Sequence, residues 1–330
     1  MEPTTAGRTA AERHVPVLLE QCVQLLAPAL DRPDAVHVDA TLGMGGHASA
    51  VLRACPQARL IGIDRDPQAL DLARQRLAHD GVGERATLVH ATYDQLPDVL
   101  ADLQIPAVHG VMMDLGLSSF QIDTAERGFS YAADAPLDMR MDPTTGPTAA
   151  DLLRDLDETE LARILRDYGD ERFARRIARR IVGQREHAPI TRSGQLVQLL
   201  DAAIPAASKA SGGHPAKRTF QALRIAVNAE LEILATALEA ALDALAVDGR
   251  ILVESYHSGE DRLVKTAFAR RTRSSAPPGL PVELEEHRPT FSPLVRGARQ
   301  ADAHERETNS RAASVRLRAL VRTRITQGAH

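Results

Sequence analysis

Residues 36–67, VHVDATLGMGGHASAVLRACPQARLIGIDRDP, decide the fold. The run VHVDA (36–40) stops at a glycine cluster, TLGMGGH, as a strand does when it enters a turn and then a helix. RLIGID (59–64) reads as a buried strand. Asp66-Pro67 opens a helical stretch with proline in its first turn. Working outward, ATLVH (86–90) and VHGVMMD (108–114) supply two further strands. Four strands separated by helical segments call for a parallel sheet with right-handed crossovers. From about residue 125 the alternation stops, and residues 149–166, 171–184 and 193–203 have helical periodicity. In ERFARRIARRIVGQR (171–185), Phe173, Ile177 and Ile181 share one face and arginines fill the other. The α/β pattern resumes with a helix over 215–246 ended by Asp248-Gly249, and strands at 250–256, 282–286 and 314–322. The expected fold is α/β, a doubly wound sheet interrupted by an inserted helical domain.

The 330 residues exceed one average domain. With 44% hydrophobic and 25% charged residues, the chain has the apolar surface a packed core needs, which excludes disorder for most of it. No apolar run approaches the ~18 residues of a membrane-spanning helix. Residues 1–13 lack the apolar stretch of a secretory signal. Cys22 and Cys55 form no CxxC, and the twelve histidines make no ligand-spaced cluster, so no metal is expected. A reducing, cytoplasmic setting follows from so few cysteines. The net charge of −4 divides into +8 over residues 262–330 and −12 elsewhere. A basic tail on an acidic body fits a polyanionic partner, and equally a solvated surface.

Gly43, Gly45 and Gly46 let the backbone turn tightly and approach a ligand. Asp64 lies 18 residues past Gly46 at the end of the next strand, where a carboxylate can accept both ribose hydroxyls of an adenosine cofactor. The alternative is a plain strand–helix turn with a surface aspartate. Spacing alone does not separate a dinucleotide from S-adenosylmethionine. The lack of a clean GxGxxG, and Asp39 placed to serve an amino-acid moiety, lean toward the latter. His47 either lines the site or begins a helix. Asp39, Asp64 and Asp114 all fall at strand tips, where open α/β sheets bind ligands.

A series of motifs then appears in order: HVPVLLEQ (14–21), DATLGMGGH (39–47), DRDPQAL (64–70), MDLGLSSFQ (113–121), ERGFSY (126–131), PLDMRMD (136–142), YGDERFARRIA (168–178), RTFQALRIAVNAELE (218–232), SYHSGEDRLVK (255–265) and NSRAASVRLR (309–318). Together they closely resemble the bacterial 16S rRNA (cytosine(1402)-N(4))-methyltransferase family, over nearly all of residues 14–322. The resemblance implies an S-adenosylmethionine-dependent, Rossmann-like methyltransferase acting on a cytosine amine of the decoding region, with the small ribosomal subunit as partner. It implies a core over residues 1–124 and 219–330 and a substrate-recognition insert over 125–218. It carries Gly45, Gly46, His47, Asp64, Tyr93, Asp114 and Gln121 as cofactor contacts. Phe120, Tyr256 and Gly259 depart from the family's usual proline, phenylalanine and leucine, and Gly259 is expected to loosen the loop after the fifth strand.

Methyl transfer from a sulfonium is an in-line displacement, in which the protein supplies alignment and electrostatics. Acceptors for the amine hydrogens would localise the nitrogen lone pair. The segment 114–120 lacks the Pro-Pro-aromatic loop of many amino-group methyltransferases. Candidates are Asp114 or the backbone of residues 115–119, then Asp138, with His257 for orientation or proton handling, or as a structural histidine. The target base must leave its stack, and Phe120, Phe129 and Tyr131 offer a stacking face or core packing. Arg140, Lys217 and Arg218 are the nearest candidates for RNA contact. Arg172, Arg175, Arg176, Arg179, Arg180 and the basic tail are further ones. Two rival readings remain open: a nicotinamide dehydrogenase, and an RNA- or nucleotide-binding protein without catalysis. The sequence leaves a homodimer open.

Overall fold

Strand β1 (Val36–Asp39) is buried along its whole length, as a central strand covered on both faces must be. The computed structural model describes residues 16–205, 208, 214–277 and 283–325. Before β1 lies helix α1 (Leu19–Leu30), and after it α2 (Gly46–Ala54) leads to β2 (Arg59–Asp64). Helix α3 (Pro67–His79) has Asp66 as its cap, whose side chain accepts the Gln68 N–H, and Pro67 at its first position. Then follow β3 (Ala86–His90), α4 (Leu96–Asp102) and β4 (Val108–Asp114). Strands β2, β3 and β4 coincide with the runs read from sequence. Beyond the insert come β5 (Leu245–Ser255), β6 (Phe291–Pro293) and β7 (Arg316–Arg322).

Among the described residues these make a seven-stranded sheet in the order β3-β2-β1-β4-β5-β7-β6. The first five are parallel, and β7 pairs antiparallel with both β5 and β6. One apolar layer, including Leu26, Leu52, Leu77 and Met112, covers one sheet face. A second, including Leu96, Leu238, Val253 and Phe268, covers the other. Strand order reverses between β1 and β4, both of which begin at the sheet's centre, so their carboxyl ends are the expected ligand position.

The chain forms two compact units: Met1–Gly116 with Leu231–His330, and Leu117–Glu230. The junctions expected at 124/125 and 218/219 lie within the second unit, the later one inside the helix Ala216–Asn228. That unit is helical, with its own core around Leu161, Ile177, Leu196 and Leu223. Phe173 packs against this core, Ile177 and Ile181 are buried in it, and Arg175, Arg176, Arg179 and Arg180 face outward.

Four sequence expectations change. The helix over 149–166 is broken, because Asp157 caps a new helix, Glu158–Gly169, by accepting the Glu160 N–H. The helix over 215–246 is broken at Ala229, which adopts a left-handed φ of +50° between Ala216–Asn228 and Glu230–Ala244. It ends at Ala244 rather than at Asp248-Gly249, which lie within β5, where the register with β4 shifts. No strand forms over 283–286, residue 282 lying outside the described residues. Glu285–His287 is a 3₁₀ turn, and the sheet edge is made by Phe291, which is 1% exposed. Residues 283–286 face solvent instead, with Glu285 paired to Arg288 and Arg324.

Candidate functional site

The glycine turn is tied to the tip of β2. Gly43 and Gly45 have φ of +51° and +75°, a region that costs glycine little and other residues more. With the turn so bent, Gly43 N–H donates to Asp64 Oδ2 at 2.7 Å, and Asp66 N–H donates to Oδ1 at 2.9 Å. Each carboxylate oxygen spends one lone pair on the backbone and keeps another. Burial pushes the Asp64 pKa up to about 6, against the lowering effect of those two N–H donors. A diol is the ligand this carboxylate fits, since two hydroxyl donors would hold its charge. Gly46 opens α2 beside Pro16, whose Cγ would lie 2.5 Å from any Cβ placed there.

His47 is buried under the turn. Its Nε2 lies 3.0 Å from the Val17 carbonyl, which can only accept, so Nε2 carries the hydrogen. Nδ1 then faces Asp114 Oδ2 at 3.9 Å. Burial keeps the imidazole pKa below its usual value despite that carboxylate. Asp39 is 2% exposed, so it sits beneath the turn rather than offering itself to a ligand's amino group. It accepts the Thr41 N–H at 3.3 Å, and burial raises its pKa to about 7.

Asp114 ends β4 with its side chain about a quarter exposed (27%). Its N–H donates to Thr41 Oγ1 at 2.6 Å, and its Oδ1 accepts the Gly116 N–H at 3.0 Å. Asp64 and Asp114 are thus the strand-tip acids with open oxygen. Tyr93 begins a 3₁₀ turn (Tyr93–Gln95) after β3, half-buried against the apolar layer. His257 caps the helix Ser258–Thr272, with Nδ1 accepting the Gly259 N–H at 3.2 Å. Its Nε2 is 3.0 Å from Glu260 Oε1, at an angle off the N–H direction. Gly259 is therefore held in a helical first turn, not in a loosened loop.

The remaining candidates lie in the second unit. Gln121 Oε1 accepts the Ser118 N–H in a capping box. Asp138 is gripped by Arg140 through two bonds, 2.8 and 2.7 Å. Burial would raise the Asp138 pKa, but Arg140 outweighs it and holds the carboxyl below its usual range, so it is a poor proton acceptor. Lys217 and Arg218 are exposed on the first turn of Ala216–Asn228. Phe129 is core, while Tyr131 stacks on His214 at 4.5 Å. Asn228, which sequence reasoning passed over, joins the motifs PLDMRMD and RTFQALRIAVNAELE. Its Oδ1 accepts the Met141 N–H, and its Nδ2 donates to the Met139 carbonyl, both at 2.8 Å.

Two further readings are altered by the fold. Much of the basic tail is spent internally. Arg316 and Arg318 both pair with Asp261, Arg271 pairs with Glu239 and Asp243, and Arg322 binds the carbonyls of Asp243 and Leu245. The expectation that no metal-ligand cluster exists holds for spacing along the chain but not in space. Cys22, His47 and Glu254, from three distant segments, bring potential ligand atoms within 4.8 Å of one another. Glu254 carried no signal in the sequence beyond being an acid inside an apolar strand. Among the described residues no helix is long and apolar enough to cross a membrane.

The family model described as the MraW methylase family matches residues 11–323. Ribosomal RNA small subunit methyltransferase H of Beutenbergia cavernae is 62% identical over 323 residues, 98% of this chain and 96% of that protein. The protein of the same name from Parafrankia sp. is 59% identical over 315 residues, 96% of each. A solved structure of an rRNA methylase from Streptococcus thermophilus aligns with 94% of this chain and 99% of its own, at 12% identity and a TM-score of 0.44. On the family match and these near full-length identities, the chain belongs to the MraW methylase family.

Proposed function

We propose that this chain is an S-adenosylmethionine-dependent methyltransferase acting in the cytoplasm on the exocyclic N4 of a cytosine, position 1402, in the decoding region of 16S rRNA. The observation that carries the cofactor side is Asp64, held by the N–H groups of Gly43 and Asp66 with a lone pair free on each oxygen. S-adenosylmethionine, when bound, supplies a methyl group on a sulfonium. Asp64 holds the ribose, Gly43 and Gly45 shape the backbone beside it, and Gly46 and His47 are assigned to the cofactor by motif position. Asp114 takes the cofactor beyond the tip of β4 and is the first choice to accept the amine hydrogens. Tyr93 and Gln121 are assigned to the cofactor by motif position.

The second unit is the RNA-recognition module. Arg140, Lys217, Arg218 and the outward arginines of Ala174–Arg185 are its phosphate contacts. Asp138 orients the Arg140 guanidinium by pairing with it, and His257 is a structural cap. The substrate is the small ribosomal subunit rather than free rRNA. Sedimentation of the purified chain, alone and with subunits, reads whether one copy or a homodimer docks.

The test uses labelled cofactor and undermethylated small subunits, followed by nucleoside analysis. Label at N4 of the single cytosine is expected. No transfer, where a control enzyme labels the same particles, rejects the activity. Binding without transfer favours the non-catalytic reading, and tighter binding of NAD than of S-adenosylmethionine favours the dehydrogenase.

A further inference from the structure

Beneath the strand tips, a thiol, an imidazole and a carboxylate converge from three elements. Cys22 of α1, His47 of α2 and Glu254 of β5 are 0%, 6% and 0% exposed, and their potential ligand atoms all lie within 4.8 Å of one another. Two of the three are held in place by groups outside the trio. His47 Nε2–H donates to the Val17 carbonyl at 3.0 Å, which leaves Nδ1 with a lone pair. Among the described residues nothing donates to Nδ1, and the charged group that faces it, Asp114 Oδ2 at 3.9 Å, is another acceptor. A ring hydrogen spent on a backbone carbonyl is the usual way to orient an imidazole whose other nitrogen binds a metal. Glu254 is fixed on one side, where the Tyr256 hydroxyl donates to Oε2 at 3.1 Å. Its Oε1 lies beside Cys22, whose Sγ–H donates to it at 3.1 Å.

The donor set selects the ion. Sulfur, nitrogen and carboxylate oxygen are the ligands of zinc in tetrahedral sites, whereas calcium and magnesium take oxygen. A thiolate and a carboxylate together balance a doubly charged cation, and buried charges need such a partner. Zinc bonds of ~2.0–2.3 Å put neighbouring ligand atoms about 3.3–3.8 Å apart. The Cys22–Glu254 pair, at 3.1 Å, would open slightly, and separations of up to 4.8 Å would close by no more than about 1.5 Å, within the reach of side-chain rotation. Cys22 gives up its thiol hydrogen to solvent as the thiolate forms.

We propose that Cys22 Sγ, His47 Nδ1 and Glu254 form a zinc site that cross-links α1, α2 and β5 behind the strand tips. Three protein ligands leave the fourth position to water. The site uses the ring of His47, so a cofactor contact made by the backbone of that residue is unaffected. The inference stands apart from the methyl-transfer reading, and its test needs neither cofactor nor RNA.

The full-length protein is purified without a metal-affinity step, its metal content is measured by mass spectrometry, and chelator-treated protein is titrated with zinc or with cobalt as a coloured stand-in. One zinc per chain is expected. With cobalt, the d–d bands of a tetrahedral ion and a thiolate-to-cobalt charge-transfer band should appear. The chain has two cysteines, so Cys22→Ala should abolish the charge-transfer band and Cys55→Ala should keep it. His47→Gln and Glu254→Gln should each weaken zinc binding by more than about 10- to 100-fold, the range already seen on loss of an outer partner. Zinc should raise the melting temperature of the wild type and not that of Cys22→Ala. X-ray absorption of the wild-type zinc adduct needs no variant to fold, and should show one sulfur neighbour among nitrogen and oxygen. Folded wild-type protein that takes up neither zinc nor cobalt overturns the proposal. So does a zinc shell without sulfur, or zinc bound equally by Cys22→Ala and Glu254→Gln, which would be adventitious.

Discussion

Replacing Asp64 by alanine tests the cofactor side at one atom group. Each Asp64 oxygen accepts one backbone N–H, at 2.7 and 2.9 Å, and has one lone pair left for a ribose hydroxyl. A hydrogen bond to a charged acceptor contributes about 1.5–3 kcal/mol, and two that share a carboxylate do not simply add. A combined loss of about 3 kcal/mol corresponds to a Kd weaker by about 150-fold. Calorimetry of both proteins at pH 8 measures it. The alanine also leaves the Gly43 and Asp66 N–H groups without their acceptor, and a loosened turn would weaken binding too. A cofactor analogue lacking both ribose hydroxyls separates the two effects. The wild type should lose most of the same factor with the analogue, and the variant should lose almost nothing further. Equal losses in both proteins would show that the carboxylate does not hold the ribose. Because the Asp64 pKa is raised to about 6 in the free protein, the cofactor selects the ionised form. Wild-type affinity should therefore fall, by up to about tenfold per pH unit below 6, while that of the variant stays flatter.

Three other substitutions have calculable outcomes. Asp39→Asn removes a buried charge whose pKa is raised to about 7. Stability lost as pH rises from about 4 through 7 is regained in the variant, at most about 1.4 kcal/mol for each pH unit crossed. Its melting temperature should exceed that of the wild type at pH 8 and the gap should close toward pH 4, whereas a pH-independent gap contradicts the assignment. Asn228→Ala strips partners from Met141 N–H and the Met139 carbonyl and should destabilise the second unit by about 2–4 kcal/mol, read from urea midpoints. Unchanged hydrogen-exchange protection at Met141 would contradict it. Gly128→Ala puts a Cβ 2.2 Å from the Pro136 oxygen at a φ of +73° and should cost more than about 2 kcal/mol, beyond backbone strain alone. A variant that melts with the wild type would mean the 126–138 loop yields freely.

What was legible in the sequence was local. Strands β2 and β4 stand out because Pro precedes each and Asp ends it, and β3 because its apolar run follows Gly83. Asp64 was legible because a strand-tip acid after a glycine turn has a fixed relation to that turn. Asn228 was not, since its partners lie 87 and 89 residues away. The break at Ala229 was hidden for the same reason: periodicity continues through it, and tertiary bonds from Asn228 offset the left-handed residue. The basic tail misled because counting charges does not reveal that Arg316 and Arg318 share Asp261, more than 50 residues upstream. In the Cys22–Glu254–Tyr256 group, Cys22 and Glu254 lie 232 positions apart, so no window contains it.

The insert between β4 and β5 also has a consequence for biosynthesis. Strand β4 ends at Asp114, but its parallel partner β5 is complete only at Ser255. At about 5–20 residues per second, roughly ten seconds pass on the ribosome before the second strand is made. During that interval one edge of β4, with Val111 and Met113 in its run, has no neighbour and presents open backbone donors and acceptors to other nascent chains. The helical unit, complete at Glu230, has its own core and can fold meanwhile, shortening the effective loop that the sheet must close. Slow elongation or loss of trigger chaperones should therefore harm this protein's yield more than its equilibrium stability suggests.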